Sequence, residues 1–156
     1  MNNNLIEIVT LQTKHFIGVP VTNVFKRFDQ GIINEANQLF LERKSEIKGI
    51  VNEQQYVCPH FANEVLFTYI YCMEVASIED VPKGMIGFTV DSQSYATVRS
   101  ADQDPYVLIK AFLKENHLDH NPVALALEVF RFGEEQHLNN ADIFVPIRAK
   151  TDLHTT

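Results

Sequence analysis

The stretch at 123–132, VALALEVFRF, decides how this chain is read. It alternates with the period of two that marks a β-strand. Val123, Leu125, Leu127 and Val129 form a bulky apolar set suited to packing on helices. The intervening set, Ala124, Ala126, Glu128, Phe130 and Phe132, puts one carboxylate between small residues and aromatic rings. Alanines leave room over a sheet, rings wall that room, and a carboxylate at its base selects a polar or cationic guest. An unpaired carboxylate costs at least several kcal/mol to bury, so Glu128 is exposed, paired or used. Alternation alone leaves open that it is an ordinary surface carboxylate.

On the C-terminal side, GEEQHLNNA (133–141) is a polar connection and DIFVPIR (142–148) a last strand. There Ile143, Val145 and Ile147 face one way and Phe144 the other. On the N-terminal side, DHNP (119–122) leads back to a helix opened by Asp104-Pro105, with proline where its missing N–H is harmless. Leu108, Ala111, Phe112 and Glu115 trace its stripe, and it ends near Asn116-His117. Strands at 85–90 and 95–100 precede it, joined through Asp91-Ser92-Gln93, after the turn-rich loop SIEDVPKG (77–84).

A long strand at 64–75 puts Val65, Phe67, Tyr69, Tyr71 and Met73 on one face. Tyrosine hydroxyls want partners, so this row is either the wall of a partly wet cavity or an aromatic core layer. A short strand at 56–60 comes before it. The spacing of Ile32, Ala36, Leu39, Phe40, Arg43 and Ile47 predicts a helix over 28–48, with Asp29 as N-cap and Gly49 at its end. The first strands are expected at 5–12 and 15–22, and the Thr13-Lys14 joint suggests a hairpin. Gly18 and Pro20 place one end of the second at an edge or bulge. Met1–Asn4 and the tail beyond Lys150 are polar and expected to be loose.

Strand, helix, strand, strand therefore occurs twice, from His15 to Val75 and from Tyr95 to Arg148. The expectation is one domain, 1–156, with pseudo-repeats at about 5–76 and 85–149. Its class is α+β: an antiparallel sheet with both helices packed on one face. The opposite face, carrying Tyr69, Tyr71 and Glu128, is expected to form a trough between the halves, where ligand pockets commonly lie.

Composition narrows the partners. Of 156 residues, 46% are hydrophobic and 21% charged, as in globular domains. No apolar run is long enough to span a membrane, and MNNNLIEIVT lacks the features of a signal peptide, so a cytoplasmic protein is expected. A net charge of -7 argues against direct nucleic-acid binding and mildly favours a cationic small molecule. Cys58 and Cys72 read as free thiols without metal-ligand spacing. The sequence holds no H-E-x-x-H, P-loop or G-x-S-x-G motif, and neither cofactor nor metal is expected.

Five blocks carry a family resemblance: YVCPHFANEVLFTYIYCMEV (56–75), VPKGMIGFTVDSQSYATVRS (81–100), DPYVLIKAFLKENH (104–117), ALEVF (126–130) and DIFVPI (142–147). In this order and spacing the chain resembles the gyrase-inhibitor-like (GyrI-like) small-molecule-binding family. That family includes the effector-binding domains of multidrug-sensing and AraC-type transcription regulators. The resemblance implies a pocket between the repeats for lipophilic, often cationic, aromatic compounds, with a carboxylate in its floor. Glu128 falls on that position, and Phe67, Tyr69, Tyr71, Tyr95, Phe130 and Phe144 are the expected ligand-binding residues. Family members commonly carry tyrosine where Phe130 stands, and Cys58 and Cys72 replace glycines typical of their strands.

Regulators of this class carry a helix-turn-helix domain ahead of the sensor, whereas only Met1–Asn4 precede the first strand here. The resemblance thus implies a stand-alone sensor or sequestering protein, with any effect on transcription running through a partner such as a regulator. Two other functions compete. One is hydrolysis of strained electrophilic natural products, such as cyclopropane-containing genotoxins, with Glu128 as general base and Tyr95, Tyr69 or Tyr71 orienting or donating a proton. The other is a protein-interaction role with gyrase or another DNA-handling partner.

Overall fold

The computed structural model describes residues 6–99 and 102–149; the expectations for the extreme ends lie outside the described residues. Within them the elements run β1 (Glu7–Leu11), β2 (Lys14–Val24), α1 (Gln30–Arg43), β3 (Gln55–Ala62), β4 (Leu66–Val75), β5 (Ile86–Val90), β6 (Gln93–Arg99), α2 (Pro105–Glu115), β7 (Leu118–His120), β8 (Ala126–Arg131) and β9 (Asp142–Ala149). Every strand pairing is antiparallel. Both helices pack on one face of the sheet.

The repeat is explicit in the pairing. β2, β4 and β3 lie side by side in one half, and β6, β9 and β8 repeat that arrangement in the other. The halves join where β3 pairs with β8, which sets Cys58 opposite Glu128.

The two-residue joints do not make hairpins. β1 pairs with β6 of the other repeat, and β5 pairs with β2. Leu11 faces Gln93 and Lys14 faces Val90, so the register passes through both joints unshifted. β1 with β2, and β5 with β6, are therefore two long bent strands running alongside one another from half to half. The chemistry agrees: a two-residue hairpin needs positive φ in its turn, and Gln12-Thr13 and Asp91-Ser92 have none. Leu11 and Lys14 can be at most about 11 Å apart, yet β1 and β2 belong near opposite ends of the strand order. The sheet must curl until its ends meet.

Curling gives the far face a core of its own. Phe16, Val57, Ile70, Cys72, Tyr95, Leu127 and Phe144 are buried there, with Val9, Leu11, Phe88 and Val90 packed against them. β8 thus faces the reverse of the expected way. Leu127 and Val129 enter this helix-free core, while Ala126, Glu128 and Phe130 turn toward the helices. Val123 and Leu125 precede the strand, and Val123 is 88% exposed.

The helices begin as the sequence predicts. Asp29 accepts from the Gly31 N–H and Asp104 from the Tyr106 N–H, each at 2.9 Å, with Pro105 opening α2. α1 is shorter than expected, giving way after Arg43 to a 3₁₀ turn at Lys44–Glu46. On α2 the buried stripe is Pro105, Ile109 and Leu113; Leu108 and Phe112 are only partly buried, and Ala111 is exposed. Among the described residues no helix is long and apolar enough to cross a membrane. Cys58 and Cys72 are free and buried.

At Gly18 the backbones of β2 and β4 leave no room for a side chain. A Cβ there would lie 2.0 Å from the Tyr71 carbonyl oxygen and 2.6 Å from the Cys72 Cα, both backbone atoms that cannot swing aside. Pro20 is tolerated in the same strand because β5 pairs only from Lys14 to Gly18, leaving one side free. Gly18→Ala is expected to destabilise the fold by about 1–3 kcal/mol, the scale of overpacking. An unchanged urea midpoint for that variant would show that β2 and β4 have room to spare.

Candidate functional site

Glu128 is 6% exposed and lies on β8 between Cys58 of β3 and Ile143 of β9. Neither neighbour's side chain hydrogen-bonds its carboxylate. Its acceptors are satisfied from further along the cleft. Tyr69 Oη, from β4, donates to Oε1 at 2.5 Å, and Tyr106 Oη, from the first turn of α2, donates to Oε2. Among the described residues no lysine or arginine pairs with Glu128; the one basic ring near it is His60, with Nε2 3.8 Å from Oε2.

These groups stand between two hollows in the helix-facing side of the sheet. A cavity of about 410 Å³ lies beside α2, lined by His60, Tyr106, Ile109, Leu113 and the small residues Ala124 and Ala126. The alanines leave space as their place in the alternation predicts. A second hollow of about 330 Å³ lies beside α1, lined by Ile33, Asn34, Phe67, Tyr69, Tyr71 and Gln136. Tyr106 borders the first and Tyr69 the second, so the bridge Tyr69–Glu128–Tyr106 crosses the cleft between the helices.

No protein-family model matches the chain, and no curated protein matches it in sequence. Its architecture does have solved counterparts. SAV2435 bound to tetraphenylphosphonium aligns with a TM-score of 0.66 at 12% identity, over 92% of this chain and 94% of that one. The C-terminal domain of EcmrR aligns with a TM-score of 0.67 at 8% identity, over 95% and 99%. EcmrR in a complex with DNA aligns with a TM-score of 0.65 at 12% identity, over 93% of this chain and 57% of that one. The fold is that of the GyrI-like effector-binding domains.

Within this GyrI-like fold the expected site residues divide between two faces. Glu128, Tyr69 and Tyr71 meet on the helix side, where Tyr71 stands edge-on to Tyr69 at 5.3 Å. Phe67 borders the α1-side hollow and stacks with Phe25 and Phe28. Phe130 is on the same side but buried under Tyr56, 5.4 Å away. Tyr95 and Phe144 pack against each other in the far-face core, across the sheet from Glu128. The trough expected opposite the helices is instead a cleft between them.

Two residues at the centre of the cleft, Tyr106 and His60, escaped the sequence reading. Tyr106 belongs to the stripe 106, 109, 113, beside the one the apolar residues suggest. His60 follows Tyr56 and Cys58 by strand alternation, a weak but readable signal. Among the described residues no group of three or more His, Cys, Asp and Glu is placed to hold a metal ion.

Burial holds the hydroxyls protonated. Tyr69 and Tyr106 are raised well above the ordinary tyrosine range, chiefly by desolvation, with negative charge at Glu128 adding to the effect. Desolvation also pushes Tyr71 up to about 12, and it raises Tyr56 and Tyr95. The Cys58 thiol is raised by the same cause. His120, at the edge of the α2-side cavity, is lowered by burial, then by Arg148 and His60.

These directions set an alkaline limit on stability. In the unfolded chain a tyrosine loses its proton near pH 10, while all five folded tyrosines keep theirs longer. Unfolding therefore releases protons above about pH 10. Stability is full below that point and falls as pH rises, by about 1.4 kcal/mol per unit for each such hydroxyl. Phenolate absorbance should rise late and steeply, together with loss of circular dichroism. A gradual rise near pH 10 with the fold intact would mean that the rings are open to solvent.

Proposed function

We propose that this chain binds lipophilic organic cations in the cleft between its helices, with Glu128 as the counter-charge. The observation that carries this reading is a buried carboxylate with no lysine or arginine beside it among the described residues, set among tyrosines next to a largely apolar cavity. A buried anion without a permanent cationic partner is costly. A ligand that brings the positive charge removes that cost. Ring faces add about 0.5–2 kcal/mol each as cation–π contacts, and Phe67, Tyr69, Tyr71 and Tyr106 border the hollows. SAV2435, of similar fold, has been seen bound to a cation of this class, tetraphenylphosphonium. On this reading the two repeats act as one effector-binding domain whose partner is a small molecule.

A hydrolase reading has one observation in its favour, the contact of Glu128 with Tyr106 and His60. It would use Glu128 as general base with Tyr106 as its partner, because Tyr95 lies across the sheet.

Glu128→Gln keeps the shape and removes the charge. By calorimetry it should weaken tetraphenylphosphonium by about 1–3 kcal/mol, the scale of a hydrogen bond to a charged group. That is roughly 5- to 150-fold in Kd. Triphenylphosphine oxide, neutral and of related shape, should change little. Equal losses for both, or none, would put the binding site elsewhere. For a hydrolase the same variant would keep substrate affinity and lose product formation.

A further inference from the structure

The contacts of Glu128 continue past the tyrosines. Tyr106 Oη, which donates to Oε2 of Glu128, also lies 3.2 Å from Nε2 of His60. On the other side of that ring, Nδ1 is 3.1 Å from the carbonyl oxygen of Cys58. A carbonyl oxygen only accepts, so Nδ1 carries a hydrogen. Tyr106 has one hydroxyl hydrogen. With a charged Glu128 and a neutral His60 it faces two acceptors, the carboxylate and the bare Nε2, and one contact lacks a hydrogen.

One additional proton completes both contacts. It can sit on Nε2, which then donates to Tyr106 while Tyr106 donates to Glu128. It can equally sit on Oε2 of Glu128, which donates to Tyr106 while Tyr106 donates to Nε2. The two arrangements differ by hydrogen shifts along a single line of atoms, and both leave the Glu128–Tyr106–His60 group with no net charge. Tyr69 takes no part, because its own hydrogen already covers Oε1.

We propose that Glu128, Tyr106 and His60 hold one shared proton in the empty cleft, and that an entering cation takes its place. This rests on the cation-binding reading above and extends it: the cleft exchanges a proton for a cation. His60 and Tyr106 become specificity-determining residues. They neutralise the carboxylate while the cleft is empty and release it when a permanent cation arrives. A neutral ligand leaves the proton where it is.

The surrounding groups do not supply this proton. From β3 and β4, Cys58, Tyr69 and Tyr71 are held in their neutral forms by burial. From β7, His120 is lowered, with Arg148 of β9 beyond it. On α2, Asp104 is engaged as the helix cap and Lys110 is exposed at the cavity's edge. α1 faces its hollow with Gln30, Asn34 and Asn37, which do not titrate.

The test is calorimetric titration of tetraphenylphosphonium at several pH values, in buffers of differing ionisation enthalpy. The wild-type protein should release about one proton per bound cation, and its Kd should fall about tenfold per pH unit while the group holds that proton. In His60→Gln and Tyr106→Phe, release should drop toward zero and the pH dependence should flatten. Binding without proton release, or release unchanged in both variants, would overturn the exchange while leaving the cation site standing. If tetraphenylphosphonium does not bind at all, the cation-binding reading fails. The shared proton is then decided by ¹⁵N spectra of the empty protein. The His60 Nε2 resonance should move on Glu128→Gln if the proton is shared, and an unmoved resonance overturns the proposal.

Discussion

Two bent strands, each passing without a turn from one repeat into the other, tie this structure together. The ladder from Glu7 to Gly18 against Ile86 to Thr97 keeps one register through both joints, so neither half can shift without breaking pairs in the other. Closing the sheet in this way gives it two buried faces. The far face is filled by side chains from both repeats, including Phe16, Tyr95, Leu127 and Phe144. With that side packed by apolar residues, the cleft opens on the helix side, where Glu128 and its tyrosines meet an apolar cavity.

The cleft depends on both halves. Glu128 and Tyr106 come from the second repeat, Tyr69 and His60 from the first, and the contacts Tyr69–Glu128 and Tyr106–His60 cross the β3–β8 seam. Close approach at Gly18 fixes β4 against β2 and so fixes the strand that carries Tyr69 and Tyr71. A change in the packing of either repeat would be felt at the carboxylate, because each repeat supplies one of its donors.

Electrostatics explain the choice of tyrosine and histidine over lysine or arginine around Glu128. On the proposed cation-binding reading, a permanent cation beside the carboxylate would form a closed ion pair and leave a visiting cation nothing to neutralise. Hydroxyls satisfy the oxygen lone pairs while adding no charge. Their burial keeps them protonated, so they remain donors across the neutral range.

Much of this was legible in the sequence because it is local. The alternation in ALEVF singled out Glu128, the alanines announced space above the sheet, Asp29 and Asp104-Pro105 marked two helix starts, and the doubled order of elements gave the α+β repeat. What escaped is relational. Alternation tells which residues of one strand share a face, but not which faces of different strands coincide. The family resemblance groups Tyr95 and Phe144 with Glu128, although strand register sends them to the other side. A two-residue joint suggested a hairpin because its length fits one, whereas partner strands in the other repeat held it open. The α2 stripe was displaced by its apolar neighbours, which hid Tyr106, and a single histidine in a short strand carries no pattern of its own. The sequence by itself determined the elements and the carboxylate; only the closure of the sheet, set by long-range backbone pairing, decided which side chains reach it.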